Sequence, residues 1–397
     1  MGPASEIELP AAHAFTPMAD GQRIEALDVV RGFALLGIFL MNVEWFNRPI
    51  AALTEGMPRG LTGADWLASA FIAYFVQGKF WTIFSLLFGM GFAVMLVRAE
   101  QAGRDFTKVY LRRILALAVF GAAHFIFVWD GDILFSYAAG ALALLIVLYG
   151  RAWPIVIGIA VLAGLGLIPQ AHLLLRVAGG LAAIGMLALY LRGEKRLAWR
   201  GISMPVFCFI LLLAGVGLSI AAVVLWLRPD GPIEPRAPLS VAGPLLFVTG
   251  WLAWKYHEPA AKRSLRMAVS LYVFGAVAMT SMGLVQQFTP DPAAGTGAAA
   301  AHVRAERTKD VEEHAARAAE ETKVYTTGTY LDTVEWRARR FPEKAAGDAG
   351  FAVVLVAMFL LGAWFVRSGV MENTARHLPF FRKLMLYGLP VGIGMGL

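Results

Sequence analysis

Two pairs of polar residues stand out on otherwise apolar runs. Asp28 and Arg31 lie one helical turn apart at the head of the run that continues to Asn42. Ionisable side chains cost several kcal/mol at membrane depth, so they need a reason to be there. On a helix, Arg31 and Asn42 share a face, eleven residues and about 16 Å apart. Arg113 and His124 repeat that spacing on a second run, and Asp130 and Asp132 follow at its outer turn. An imidazole beside a carboxylate can act as a general base, because the carboxylate fixes its tautomer or raises its pKa. Asn42 can donate to a developing oxyanion, and arginines bind phosphates through charge-assisted hydrogen bonds. Each residue also has a plainer role. Arg31 and Arg113 can snorkel to headgroups, Asp28 with Arg31 can be a local ion pair, Asn42 can join helices, and His124 can be a structural hydrogen-bond partner.

The elements that must position these groups are membrane helices. Hydrophobic residues make up 58% of the 397-residue chain, charged residues 16%, and mean hydropathy is +0.63. Soluble domains are about one-quarter charged, so the chain reads as an all-α, polytopic integral membrane protein. Spans are expected near 27–46, 79–97, 111–129, 132–149, 154–170, 172–191, 203–227, 239–256, 267–288 and 349–367, about ten in all. An eleventh run begins near Leu384 and is cut off at Leu397, too short to cross, as in a truncated chain, the favoured reading, or a re-entrant last helix. A shorter stretch from Leu61 to Gln77, with Asp65 and Trp66, is expected to be interfacial or re-entrant.

The net charge of +7 resides mostly in the links. Every second link is basic: Arg98 to Arg113, Arg151, Arg192 to Arg200, Lys255 to Arg266, and Arg367 to Lys383. Short basic loops stay cytoplasmic, which places the amino terminus in the cytoplasm and gives no reason to expect nucleic acid as a partner. Cys208 is the only cysteine, which excludes an intramolecular disulfide and a cysteine-based metal centre. His302 and His314 have no partner histidine at metal-ligand spacing and read as solvated, so no metal site is expected.

The domain plan has five parts: a flexible cytoplasmic tail at 1–22, a helical membrane domain at 23–149, further transmembrane helices at 150–288, an extracytoplasmic charged segment at 289–348, and the start of a second membrane domain at 349–397. Within the charged segment, Ala298 to Lys323 reads as a solvated helix or a partly disordered hairpin, and Trp336, Arg337, Arg339, Arg340 and Phe341 as a stretch lying on headgroups. Lys79 is expected to meet headgroups or an anionic substrate, and the glycines of Phe88-Gly89-Met90-Gly91-Phe92 read as close helix contacts.

Leu27-Asp28-x-x-Arg31-Gly32-Phe33-Ala34 with Met41-Asn42, Phe84-Ser85-Leu86-Leu87-Phe88-Gly89-Met90-Gly91, Arg112-Arg113, Gly121, His124 and Gly131-Asp132-Ile133-Leu134-x-x-Tyr137 resemble the YeiB family of uncharacterised bacterial inner-membrane proteins. That resemblance is dense from Arg23 to Tyr149. Tyr325 to Leu397, with Tyr330, Trp336, Arg340 and Gly369, resembles the start of the family's carboxy-terminal domain of unknown function. The first hundred or so residues are also remotely similar to the heparan-alpha-glucosaminide N-acetyltransferases. This second resemblance implies transfer of an acyl group from cytoplasmic acyl-CoA to an extracytoplasmic acceptor, with Asn42 matching an active-site asparagine. Arg31, Arg112 and Arg113 would then hold the CoA phosphates, and His124, with Asp130 or Asp132, would be the base. In those enzymes the histidine follows soon after the asparagine, whereas here none occurs between Asn42 and His124. Either His124 serves from another helix or the transfer has been lost. Two other classes fit the same polar groups: a transporter of a small solute or lipid, and a structural or signalling protein whose outer segment binds a partner.

Overall fold

A computed structural model describes residues 25–46, 48–50, 57–58, 60–103, 105–193, 195–199, 201–228, 235–288, 291–294, 297–371 and 375–394. The tail expected at 1–22 lies outside the described residues, as do Arg104 and Arg200 of the basic links. Among the described residues, thirteen α-helices run in chain order: α1 Glu25–Trp45, α2 Gly63–Phe71, α3 Phe80–Gln101, α4 Phe106–Ala123, α5 Leu134–Tyr149, α6 Ala152–Gly166, α7 Leu173–Arg192, α8 Val206–Leu227, α9 Arg236–Lys255, α10 Arg263–Phe288, α11 Ala298–Thr327, α12 Tyr330–Arg367 and α13 Leu378–Gly394.

The protein is an all-α polytopic membrane protein. Among the described residues, seven helical stretches are long and apolar enough to cross a bilayer: Gly63–Gln101, Phe106–Val128, Leu173–Arg192, Val206–Leu227, Arg236–Lys255, Arg263–Val285 and Tyr330–Arg367. The first is broken where Gln77 is extended and Gly78 takes φ +77°, so the 22 residues of α3 make the crossing and α2 is the short preceding helix. The apolar helices α5 and α6, of 16 and 15 residues, are shorter than a full span. α1 has 21 residues with Glu25, Asp28, Arg31 and Glu44 at its two ends. One element has no counterpart in the helical pattern. Arg196–Trp199 and Ile202–Pro205 form an antiparallel hairpin around Gly201, whose φ is +82°. Four-residue strands inside a basic link leave too short an alternation to read.

α12 organises the bundle. Its 38 residues pack against α3, α5, α7 and α10. Lipid tails are as apolar as leucine, so side-chain packing, rather than escape from water, must hold such helices together. Two glycines let backbones meet. A β-carbon on Gly362 would lie 2.0 Å from the Leu86 carbonyl oxygen, and one on Gly89 would lie 2.2 Å from that of Phe359. Phe88 stacks between Tyr137 and Phe359 in the same layer, at centroid distances of 5.4 and 4.7 Å. The Tyr137 hydroxyl reaches Ser85 Oγ at 2.9 Å and donates to the Trp81 carbonyl at 3.1 Å.

α12 also corrects the expectation for Trp336 to Phe341. Trp336 and Arg337 are only 7% and 2% exposed. Arg337 packs against the end of α4, whose carbonyls need donors, and Trp336 against Tyr325 of α11, while Arg339 stays exposed. A capping box formed by Thr329 and Asp332 starts α12, which then runs unbroken past Asp348 into the apolar half. α11 is helical throughout, mostly exposed, and carries His302 and His314 on its surface.

Candidate functional site

α4 does not end in a regular turn. His124–Val128 widen into a single π-helical turn, closed by the Trp129 amide donating to the His124 carbonyl at 2.9 Å, after which Trp129 is extended. Such turns are rare and recur at functional positions. The chain doubles back through Gly131, and the Asp132 side chain caps the first turn of α5. Its Oδ1 accepts from the Leu134 amide at 3.2 Å and its Oδ2 from the Phe135 amide at 2.9 Å. The same Oδ1 lies 3.2 Å from Nδ1 of His124. A carboxylate only accepts, so Nδ1 donates, and in the neutral imidazole the lone pair is on Nε2. The Asp132 side chain is fully buried and that of His124 is 36% exposed. The pair can therefore take a proton from an incoming hydroxyl or amine.

Asp130 points elsewhere. It faces Tyr325 of α11 and Arg337 and Arg340 of α12. Arg337 donates from Nε to the Ile126 carbonyl at 2.9 Å and from Nη1 to that of Val128 at 2.8 Å, and the Tyr330 hydroxyl donates to Phe127 at 2.8 Å. The three carbonyls at the end of the π-helical turn are thus satisfied by α12. Sequence separation of about two hundred residues hid this arrangement.

Burial pushes the Asp130 carboxyl above its ordinary value, and its own backbone amide, Tyr325 and the two arginines only partly oppose that. The folded state then holds a proton that the unfolded chain has released. Stability should fall as pH rises from the unfolded carboxylate pKa through the raised folded value, and be flat beyond it. Melting curves between about pH 4 and pH 8 should show this loss for the wild type and not for Asp130→Asn. Parallel profiles would contradict it.

The remaining candidates are more dispersed. Asp28 and Arg31 form an ion pair at 2.8 Å with both side chains half exposed. Arg113 sets Nη1 2.9 Å from Met95 Sδ and lies over the Phe88 ring, while Arg112 is exposed. No contact among the described residues joins Arg31 to Arg112 or Arg113. Asn42 is half-buried on α1. The end of α1 reaches the His124 end of the bundle, where Phe46 packs edge-on to Trp129 at 5.2 Å. Lys79 donates to the carbonyls of Tyr74 and Gln77, closing the turn before α3.

A buried cluster that the sequence reading does not contain lies beside the pair. Ser136, in the first turn of α5, donates to Asp348 Oδ1 at 2.8 Å. Lys344 reaches Ser136 Oγ at 3.0 Å and Asp348 Oδ2 at 2.9 Å, and sits over the Phe125 ring. The only local signal was Lys344 and Asp348 at i,i+4 spacing, which is equally common on a solvated helix.

Part of the chain has homologues of the YeiB kind. It is 38% identical over 143 residues to the uncharacterized protein YxaH of Bacillus subtilis, covering 35% of each chain. It is 41% identical over 129 residues to an uncharacterized 39.9 kDa protein from the amylase 3′ region of Bacillus acidopullulyticus, covering 32% of this chain and 35% of the other. Over 117 residues it is 39% identical to the uncharacterized protein YeiB of Escherichia coli, covering 29% of each. The chain thus spans about a third of the length of the curated relatives it matches. No family model and no solved structure matches it.

Proposed function

We propose that the protein is a bacterial inner-membrane acyltransferase that moves an acyl group from cytoplasmic acyl-CoA to an extracytoplasmic hydroxyl or amine. The observation that carries this reading is the His124 imidazole, partly exposed and held through Nδ1 by the buried Asp132. Nε2 of His124 takes the acceptor's proton as its oxygen or nitrogen attacks the thioester carbonyl carbon. The tetrahedral oxyanion is supported by Asn42, then collapses with cleavage of the carbon–sulfur bond, and the leaving thiolate takes up the proton. Arg31, Arg112 and Arg113 hold the donor's phosphates toward the cytoplasm, where the basic links place the amino terminus. Eleven helical residues, about 16 Å, separate Arg113 from His124. The donor must therefore be long, with phosphates at one end and the reactive carbonyl at the other, as in a CoA thioester.

The test is transfer of label by purified full-length protein in liposomes, with labelled acetyl-CoA outside and glucosamine or glycerol enclosed. His124→Ala should lower the rate by about 10²- to 10⁴-fold. An unchanged rate sinks the assignment of the base. Flux of the acceptor without any donor, and no transferred label, would replace acyl transfer by transport.

A further inference from the structure

A cavity lies at the opposite end of α5 from His124. Here α3, α5, α10 and α12 separate to enclose about 360 Å³, within the range of small-ligand pockets. Its walls are Phe92, Leu96, Leu148, Leu360 and Trp364, the first two and Leu360 belonging to the buried core. Its polar groups all lie on one rim: Tyr149, Ser264, Arg367 and Ser368. Ser368 already donates to the Phe365 carbonyl at 3.1 Å. The Arg367 side chain is 56% exposed, and its ion pair among the described residues is to Glu100 at 3.7 Å, too long for a hydrogen bond. The cation therefore retains donors for an anion at the mouth.

We propose that this cavity binds an anionic amphiphile, a single acyl chain ending in a carboxylate or phosphate. The chain fills the apolar interior and the head takes the forked N–H donors of Arg367, with the Tyr149 and Ser264 hydroxyls beside it. A small soluble anion would leave the apolar walls wet, and a neutral lipid would not use the donors that Arg367 keeps beyond its Glu100 ion pair. Glu100 competes with the ligand for Arg367 and repels its head. This site does not rest on acyl transfer.

Binding of tritiated dodecanoate to the full chain in phosphatidylcholine nanodiscs tests it. Arg367→Gln should weaken binding roughly tenfold, the scale of one lost hydrogen bond to a charged group. Arg367→Lys should recover part of the loss, and Ala363→Trp, which fills the cavity, should abolish binding. Glu100→Gln should tighten it, a gain that general damage to the fold would not produce. Wild-type affinity in both Arg367→Gln and Ala363→Trp, or dodecanol binding as tightly as dodecanoate, would overturn the proposal. Adding phosphatidylglycerol to the nanodiscs separates two sources of the ligand. Arg367-dependent competition identifies a bilayer lipid, and its absence identifies an amphiphile entering from water.

Discussion

Asp132→Asn should reduce the turnover of acyl transfer by about 10⁴-fold while the protein still folds. The reason lies in the three hydrogen bonds that Asp132 accepts, from the Leu134 and Phe135 amides and from Nδ1 of His124. Asparagine has one acceptor oxygen and one donor nitrogen. The nitrogen must meet one backbone amide in either orientation, and the shorter bond, 2.9 Å from Phe135 to Oδ2 against 3.2 Å from Leu134 to Oδ1, keeps the oxygen on Phe135 and puts the nitrogen at the Oδ1 position. The side-chain NH2 then turns to Nδ1, which has to accept, and the imidazole proton moves to Nε2. The base loses the lone pair it needs, although every heavy atom remains near its place. Turnover in the liposome assay and the melting temperature together check this, since collapse of the fold would lower both. Asp130→Asn is the matched control and should leave turnover close to wild type, because its carboxylate faces Tyr325, Arg337 and Arg340. Loss of turnover in both variants, or in neither, would refute the division of roles between the two aspartates.

That division shows what the sequence could and could not reveal. Membrane helices declare themselves, because a chain crossing hydrocarbon must satisfy its backbone internally over about 20 apolar residues. The pairing of His124 with Asp132 was also within reach, since eight residues around a reversing link leave few partners. Choosing between Asp130 and Asp132 was not. The choice depends on Asp132 capping the first turn of α5 and on Arg337 and Tyr325 drawing Asp130 the other way, and those partners are nearly two hundred residues distant. The first half of α12 misled for a related reason. Trp336 and Arg337 read as a headgroup stretch, and Lys344 and Asp348 fell unremarked in the charged segment, whereas the open carbonyls of α4 and the hydroxyl of Ser136 explain the burial of Arg337, Lys344 and Asp348. A polar residue whose partner lies on a distant helix carries no periodic signal.

The largest effect on stability is expected at that distant contact. Lys344 and Asp348 are an ion pair with side chains 14% and 9% exposed, completed by Ser136 on α5. Removing one charge strands the other, so Lys344→Met and Asp348→Leu should each cost about 3–5 kcal/mol. The double variant should return close to the wild type, because a well-packed apolar pair avoids the desolvation of two ions. Ser136 would lose both partners in the double variant, and adding Ser136→Ala should recover most of what remains, as no buried hydroxyl is then left unpaired. Unfolding in denaturing detergent measures each step, and additive losses from the two single variants would show that the charges act independently. The consequence extends to the proposed chemistry. Lys344 lies over Phe125, the residue after His124, and Arg337 closes the same π-helical turn from the same helix. Stranding either charge should therefore disturb the seat of the His124 imidazole as well as the bundle, whereas the apolar double variant should regain stability and turnover together.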